Sequence, residues 1–438
     1  MEKILAVLAL VLCCIPSLLE AQPWVQELDS VLLTLTEQEM FNGQVLLVEK
    51  DEIVFYNGYG SYDNKPIDTT SLLPIASVSK SITAFGIMIL KEQGKLSYDD
   101  KITEYLPGMP YPDITIRQLL NQTSGIPNFL SVAIEYGDTT RVMNRVMNKD
   151  RIFELIKDVS PTAGKAGEKF FYNNSNYLLC RSIIESVSGM SYSDFMAQNL
   201  WEPLDMNQTE SDTNDYPEDI QINTNNFYNP ESEINSTARD LFRFSQALTN
   251  DILVSQESVE EAFSQTRLND GTISNYGLGW YIRETPDNKS VGHWGGGELI
   301  KSYLEIYLTE EKKLVILSVN STGYIDKTYR VIRNIWENKP YEIPTQLSEY
   351  DIDPKLFQQY TGRYLTPNLG LLHISTENGK LYLRPDPVPG KEELVPSSDS
   401  TFYFRNQDLE WQFYHSGKGD VIGFGFKDDR KNMGPKQD

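Results

Sequence analysis

The chain has 438 residues, with 39 Lys plus Arg against 62 Asp plus Glu and a formal net charge of −23. Such a surface lacks the basic face that neutralises nucleic-acid phosphates and is repelled by anionic membranes, which speaks against both as partners. With 40% hydrophobic and 23% charged residues the composition is globular, and at roughly 150 residues per domain the length predicts two or three structural units.

Lys3 precedes a largely apolar run from Ile4 to Leu19 that ends at Glu20-Ala21. The run is shorter than the ~20 residues of a membrane span, so residues 1–21 read as a signal peptide, with the mature chain starting near Gln22. The expected location is secreted or periplasmic, with no stable membrane span after cleavage. Lipid attachment at Cys13 or Cys14 fits less well, because the bulky Leu12 precedes Cys13. Only Cys180 of the three cysteines then remains, so no intramolecular disulfide is expected. Cys180 ends the apolar run Tyr177-Leu178-Leu179 and is assigned to the core.

After Pro23, Val25, Leu28, Val31, Leu32 and Leu35 recur at helical spacing. FNGQVLLVEKDEIVFYNGYG then predicts two antiparallel strands about the turn Glu49 to Glu52. From Ser77 to Gln93 apolar residues cover nearly every face, which predicts a buried helix stopped by Gly94. Tyr98 to Asp270 reads as helices and loops, with helical segments at Ile152 to Val159, Tyr177 to Val187 and Ala238 to Leu248. Strand signals return at Tyr276 to Arg283, Lys301 to Leu308 and Leu314 to Val319, predicting one sheet shared by early and late strands. A helix over Asp326 to Glu337 meets the Pro-containing stretch Lys339 to Pro344. Beyond it, GRYL, GLLHIST, GKLYLRP, TFYFRN, EWQFYHS and VIGFGF predict a small antiparallel barrel.

Three short patterns carry chemistry. Ser77-Val78-Ser79-Lys80 places a hydroxyl and an amine on one helix face, where the helix dipole favours developing negative charge and burial can lower a lysine's basicity toward neutrality. By itself an S-x-x-K spacing arises about once or twice by chance in such a chain. Tyr172-Asn173-Asn174 follows a Gly-containing turn and precedes a helix. A Tyr beside a lysine can exchange a proton with it, and an Asn amide can hold a substrate carbonyl. Gly292-His293-Trp294-Gly295-Gly296-Gly297 offers close backbone approach and a second oxyanion donor. His293 is one of only three histidines, and neither a metal-ligand cluster nor a phosphate or dinucleotide loop is present in the sequence, so no metal and no cofactor is expected.

Taken in order, SVSKSITA, GKLSYDDKITEYLP, ITIRQLLNQTSGIP, GEKFFYNNSNYLL, STARDLFRFSQAL, YGLGW and GHWGGG make roughly Asn42 to Asn320 resemble the serine β-lactamase-related superfamily. The branch is that of class C β-lactamases, D-Ala-D-Ala carboxypeptidases, D-aminopeptidases and family VIII esterases. The resemblance implies an α+β fold, an antiparallel sheet flanked by helices with a helical subdomain across a cleft, occupying residues 22–340. It implies Ser77 as acyl-forming nucleophile, Lys80 and Tyr172 as proton-transfer pair supported by His293, and Asn174 as substrate-positioning amide. His293 and Gly295 fit the third motif, and the Gly296 N–H would join that of Ser77 as an oxyanion hole.

Four residues depart from the pattern. Trp294 stands where a Thr hydroxyl often binds a substrate carboxylate, Gln122 stands where LLxHTSG has His, and Leu299-Ile300 replaces Gly-Phe. After a linker at 341–346, residues 347–438 resemble the lipocalin-like barrel domains appended to some family members. The expectation is a serine hydrolase acting on small esters, short amides or peptides. A D-amino-acid peptidase or β-lactamase, and a non-catalytic binding or sensor protein, stay open as alternatives, as does homo-oligomerisation.

Overall fold

A computed structural model describes residues 23–129, 156, 164–211, 234–297, 300–319, 323–367, 370–385, 391–404 and 409–437. The signal-peptide segment, Leu299 and, apart from Ile156, the helix expected over Ile152 to Val159 lie outside them.

The chain opens with helix α1 (Pro23–Glu37), which buries Leu28, Val31, Leu32 and Leu35. Strands β1 (Gly43–Glu49) and β2 (Glu52–Tyr59) form the expected hairpin. Its turn residues Lys50 and Asp51 both have positive φ, the hand that matches strand twist. A 3₁₀ turn (Ala76–Val78) leads into helix α2 (Ser79–Glu92), whose residues from Ser79 to Leu90 are all buried, and Gly94 closes it at φ +67. Helices α3 (Asn174–Ser188) and α4 (Ala238–Ala247) follow. Cys180 is fully buried in α3, where burial pushes its thiol well above the ordinary range and leaves it inert.

Four late strands complete one sheet: β3 (Tyr281–Thr285), β4 (Asn288–Gly296), β5 (Ile300–Tyr307) and β6 (Lys312–Val319). The order is β3-β4-β5-β6-β1-β2, so the last strand of the group pairs with the first strand of the chain, Val45 opposite Ile316. Two sequence expectations need correction. The strand predicted from Tyr276 begins only at Tyr281, because Gly279 at φ +92 turns the backbone. The glycine-rich third motif, which falls in none of the predicted strands, lies in β4 from Gly292 to Gly296.

Side chains alternate across this sheet. Leu46, Val48, Leu304, Ile306, Val315 and Leu317 pack with α2 and α3 in one core, while Val45, Leu47, Tyr303, Tyr307, Leu314 and Ile316 pack with α1 and helix α5 (Ile325–Trp336) in the other. At about 1.5–3 kcal/mol per buried aliphatic or aromatic side chain, both faces hold the sheet rigidly beneath the Ala76–Val78 turn.

Residues 339–353 carry no regular secondary structure, and Leu347 within them accepts from Tyr403 Oη (3.0 Å) and donates to Tyr324 Oη (2.9 Å). The tail is a closed barrel of eight strands in chain order: β7 (Gly362–Thr366), β8 (Gly370–Glu377), β9 (Lys380–Pro385), β10 (Glu392–Pro396), β11 (Thr401–Tyr403), β12 (Glu410–His415), β13 (Val421–Phe426) and β14 (Gly434–Gln437). Tyr364, Phe402, Trp411, Phe413 and Phe424 form an aromatic core in it, with Trp411 stacked on Phe424 at 5.3 Å.

Candidate active site

Ser77 sits on the 3₁₀ turn at the head of α2. The residue before it, Ala76, has φ +46, a conformation that costs a non-Gly residue of order 1–2 kcal/mol and persists only where neighbours enforce it. Two neighbours do so from the sheet. Ser302 on β5 donates its Oγ to Ile75 O at 2.5 Å. Gly295 on β4 lies so close that a Cβ there would stand 2.6 Å from Ile75 O and 2.7 Å from Ser77 N.

One helical turn on, Lys80 is wholly buried and its Nζ is hydrogen-bonded to Ser77 Oγ at 3.1 Å. The ammonium lies over two tyrosine rings, 5.1 Å from the centroid of Tyr172 and 5.8 Å from that of Tyr177. The next residue, Ser81, donates to Gly279 O at 2.7 Å, docking the YGLGW turn against the same helical turn. Asn174 is the first residue of α3, and its Oδ1 is buried without a hydrogen-bond partner among the described residues. A buried amide oxygen of this kind is an acceptor held in reserve for a ligand donor.

His293 enters from β4, with its ring centroid 6.1 Å from that of Tyr172. Both its nitrogens are engaged. Nδ1 lies 2.8 Å from Trp294 O, an oxygen that can only accept, so Nδ1 carries the proton and Nε2 accepts from Tyr276 Oη at 3.1 Å. Burial, and then the charge of Lys80, push its pKa down to about 3, so the imidazole is neutral at ordinary pH. His293 therefore orders the wall beside Tyr172 as an uncharged strut, its single ring proton committed to Trp294 O. Burial raises Tyr276 well above the usual phenol range, with neighbouring tyrosines adding to the shift, so it stays a donor to His293.

The outer wall is aromatic. Trp294, 39% exposed, stacks on Tyr281 at 3.9 Å and 17°, and Tyr281 lies parallel to Tyr172 at 6.5 Å. Lys301, opposite Gly296 in the β4–β5 register, runs its side chain within 3.6 Å of where a Gly296 Cβ would be. Leu299, singled out with Ile300 at this wall, lies outside the described residues.

Ser77, Lys80, Tyr172, His293 and Gly295 thus come together from one helix head, one loop and one strand, with Asn174 two residues on from Tyr172 and Gly296 next to Gly295. Sequence reasoning missed Tyr276 and Ser302. Ser302 had a signal, being a polar residue in register with the apolar Leu304 and Ile306 on one face of β5. Tyr276 had none beyond its place in YGLGW.

A family model described as Beta-lactamase matches residues 26–336. Penicillin-binding protein 4* of Bacillus subtilis (strain 168) is 32% identical over 426 residues, covering 89% of this chain and 93% of that protein. Among solved structures, the octameric penicillin-binding protein homologue from Pyrococcus abyssi aligns with a TM-score of 0.61 at 21% identity, covering 90% of this chain and 96% of that one. The D-amino acid amidase from Ochrobactrum anthropi SV3, complexed with D-phenylalanine, aligns with a TM-score of 0.59 at 20% identity, covering 72% and 100%. Together they define the class, a serine hydrolase of the β-lactamase and penicillin-binding type. The chain belongs to the Beta-lactamase family.

Proposed function

We propose that this protein is a secreted hydrolase that forms and then hydrolyses an acyl-enzyme on Ser77, acting on esters and short amides or peptides that carry an apolar group. The observation that carries the reading is the 3.1 Å contact between Ser77 Oγ and the Nζ of a wholly buried Lys80 under the Tyr172 ring. The Lys80–Tyr172 pair takes the hydroxyl proton as Ser77 Oγ attacks the carbonyl carbon, and returns it to the departing alcohol or amine. The oxyanion sits against the N–H groups of Ser77 and Gly296, and Asn174 holds the substrate amide. Water then attacks the acyl carbon, its proton moves to the same pair, and the acid leaves. Secretion rests on the apolar run from Ile4 to Leu19.

The apolar preference rests on Trp294, whose indole stands where a hydroxyl would receive a carboxylate and stacks on Tyr281 to form an aromatic wall. A second reading, a D-amino-acid amidase or peptidase or a β-lactamase, is favoured by one observation, the buried Asn174 Oδ1, an acceptor for the N–H that an amide substrate carries and an ester lacks. The name of the Ochrobactrum relative points the same way. The octameric Pyrococcus relative supports self-association.

The test is parallel labelling of purified protein with a fluorophosphonate probe and a fluorescent penicillin, with Ser77→Ala as control and the adduct located by peptide mass spectrometry. Phosphonate labelling alone, dependent on Ser77, supports the ester and amide reading. Labelling by both moves the reading to penicillin-like substrates. No adduct from either makes the protein a binder rather than an enzyme.

A further inference from the structure

Gln122 follows the short helix Ile116–Leu120 and is the position at which the LLNQTSG segment departs from its family pattern. It is completely buried and held at φ +62, in the left-handed region that side chains rarely adopt. Its bonds run in a specific direction. Gln122 O accepts from the N–H of Phe171 at 2.9 Å, and Gln122 Oε1 accepts from the N–H of Asn173 at 3.0 Å and from Nδ2 of Asn176 at 2.6 Å. One residue therefore grips the backbone immediately before and immediately after Tyr172, and also the first turn of α3, where Asn174 begins. Ser124 extends the grip by donating to Asn176 Oδ1 at 2.6 Å. The other end of the Gln122 amide, Nε2, is buried without a partner among the described residues.

We propose that Gln122 is a positioning residue for the proton-transfer half of the site, fixing Tyr172 over Lys80 and Asn174 at the cleft through acceptance by its carbonyl and Oε1 oxygens. This rests on the reading of Tyr172 as the partner of Lys80. The left-handed turn is what lets one residue present both oxygens along the same strand of chain. The amide nitrogen contributes no bond to the fold, so an acceptor-only side chain of the same shape keeps both acceptances, the cost of burying its charge falling on stability rather than on kcat per site.

The experiment compares Gln122→Leu and Gln122→Glu with wild type on p-nitrophenyl butyrate, with rates normalised to sites titrated by a fluorophosphonate. In Gln122→Leu the donors of Asn173 and Asn176 lose their acceptor, Tyr172 is released, and kcat falls about 100-fold, the cost of an ångström-scale misplacement, while KM stays within about threefold. Gln122→Glu retains both acceptances and keeps kcat within about threefold of wild type. A purely structural role lowers the fraction of titratable protein and leaves kcat per site unchanged. That result for Gln122→Leu overturns the proposal. If Gln122→Leu does not fold, Gln122→Glu decides alone, since a loss of kcat per site beyond about 30-fold in a folded protein refutes acceptance by Oε1 as the link. Wild-type turnover that persists in Tyr172→Phe would instead refute the underlying reading, so the two failures are distinct.

Discussion

Gly295 on the sheet and Ser77 on the helix head are in backbone contact, with no room between them for a methyl group. A Cβ on Gly295 would fall 2.7 Å from Ser77 N, the nitrogen assigned to the oxyanion hole. Gly295→Ala must push β4 away from the nucleophile turn and spoil both donors at once. Since a single oxyanion donor contributes about 10²–10³ in rate, turnover of p-nitrophenyl butyrate falls by at least about 100-fold. A Cβ on the adjacent Gly296 meets only the flexible Lys301 side chain, at 3.5 Å, so Gly296→Ala keeps its activity within severalfold. Equal losses in the two variants would show that Ser77 N is not the group being crowded.

The Lys80 contact predicts a coupled pair. Ser77→Ala abolishes turnover and leaves Tm near wild type, because Ser77 is only half-buried and its hydroxyl is bound to Lys80. Lys80→Ala and Tyr172→Phe each lower kcat by about 100-fold or more, the ordinary yield of a proton-transfer group. Their combination costs little beyond either alone, because the two act on one proton. Steady-state kinetics of the single and double variants decide it, and multiplying losses would separate Lys80 from Tyr172.

His293 predicts a pH dependence of stability rather than of rate. The unfolded imidazole gains its proton below about 6.5, whereas in the folded protein burial and Lys80 delay it to about 3. Between those values the unfolded chain binds the extra proton, so this contribution is complete above 6.5 and drains away as pH falls toward 3. At pH 4.5 the loss is roughly 2–3 kcal/mol. Wild type therefore loses more Tm than His293→Gln on going from pH 7 to pH 4.5 in a calorimeter. The acid limb of kcat/KM stays at the same pH in both proteins, and a shift of that limb in the variant would make His293 a titrating participant after all.

Local chemistry decides which parts of this molecule are legible in its sequence. Ser77 and Lys80 are readable because helical geometry brings residues three apart together, and the α1, α2 and α3 helices because their apolar spacing follows the helix period. Six barrel strands are readable from β-branched and aromatic residues. Glu392–Pro396 and Gly434–Gln437 are not, since their Pro and Gly content carries no strand signal and pairing across the closed barrel holds them in place. The supports of the site lie deeper still. Ser302 reaches Ile75 across 227 positions, and the Tyr276–His293 bond depends on how the YGLGW turn meets β4. Hydrogen bonds between distant segments leave no periodic trace, so sequence reading brings out the groups proposed to react and misses what aims them.

The proposed substrate preference turns on Trp294. Its indole stacks on Tyr281, whose phenol burial lifts above its ordinary range, so the two rings form an uncharged, planar surface, with the Arg283 guanidinium 6.0 Å from the indole ring. An aromatic pair of this geometry is worth about 0.5–1.5 kcal/mol, and an apolar substrate group laid against it gains a similar amount. Trp294→Ala therefore raises KM for p-nitrophenyl butyrate by about 3–10-fold and leaves kcat nearly unchanged, the sign of lost uniform binding. Trp294→Thr does the same and in addition supplies a hydroxyl, so its kcat/KM for nitrocefin rises relative to that for the butyrate ester. The ratio of the two specificity constants, measured in all three proteins, is the readout. An unchanged ratio in Trp294→Thr would place the substrate against another wall.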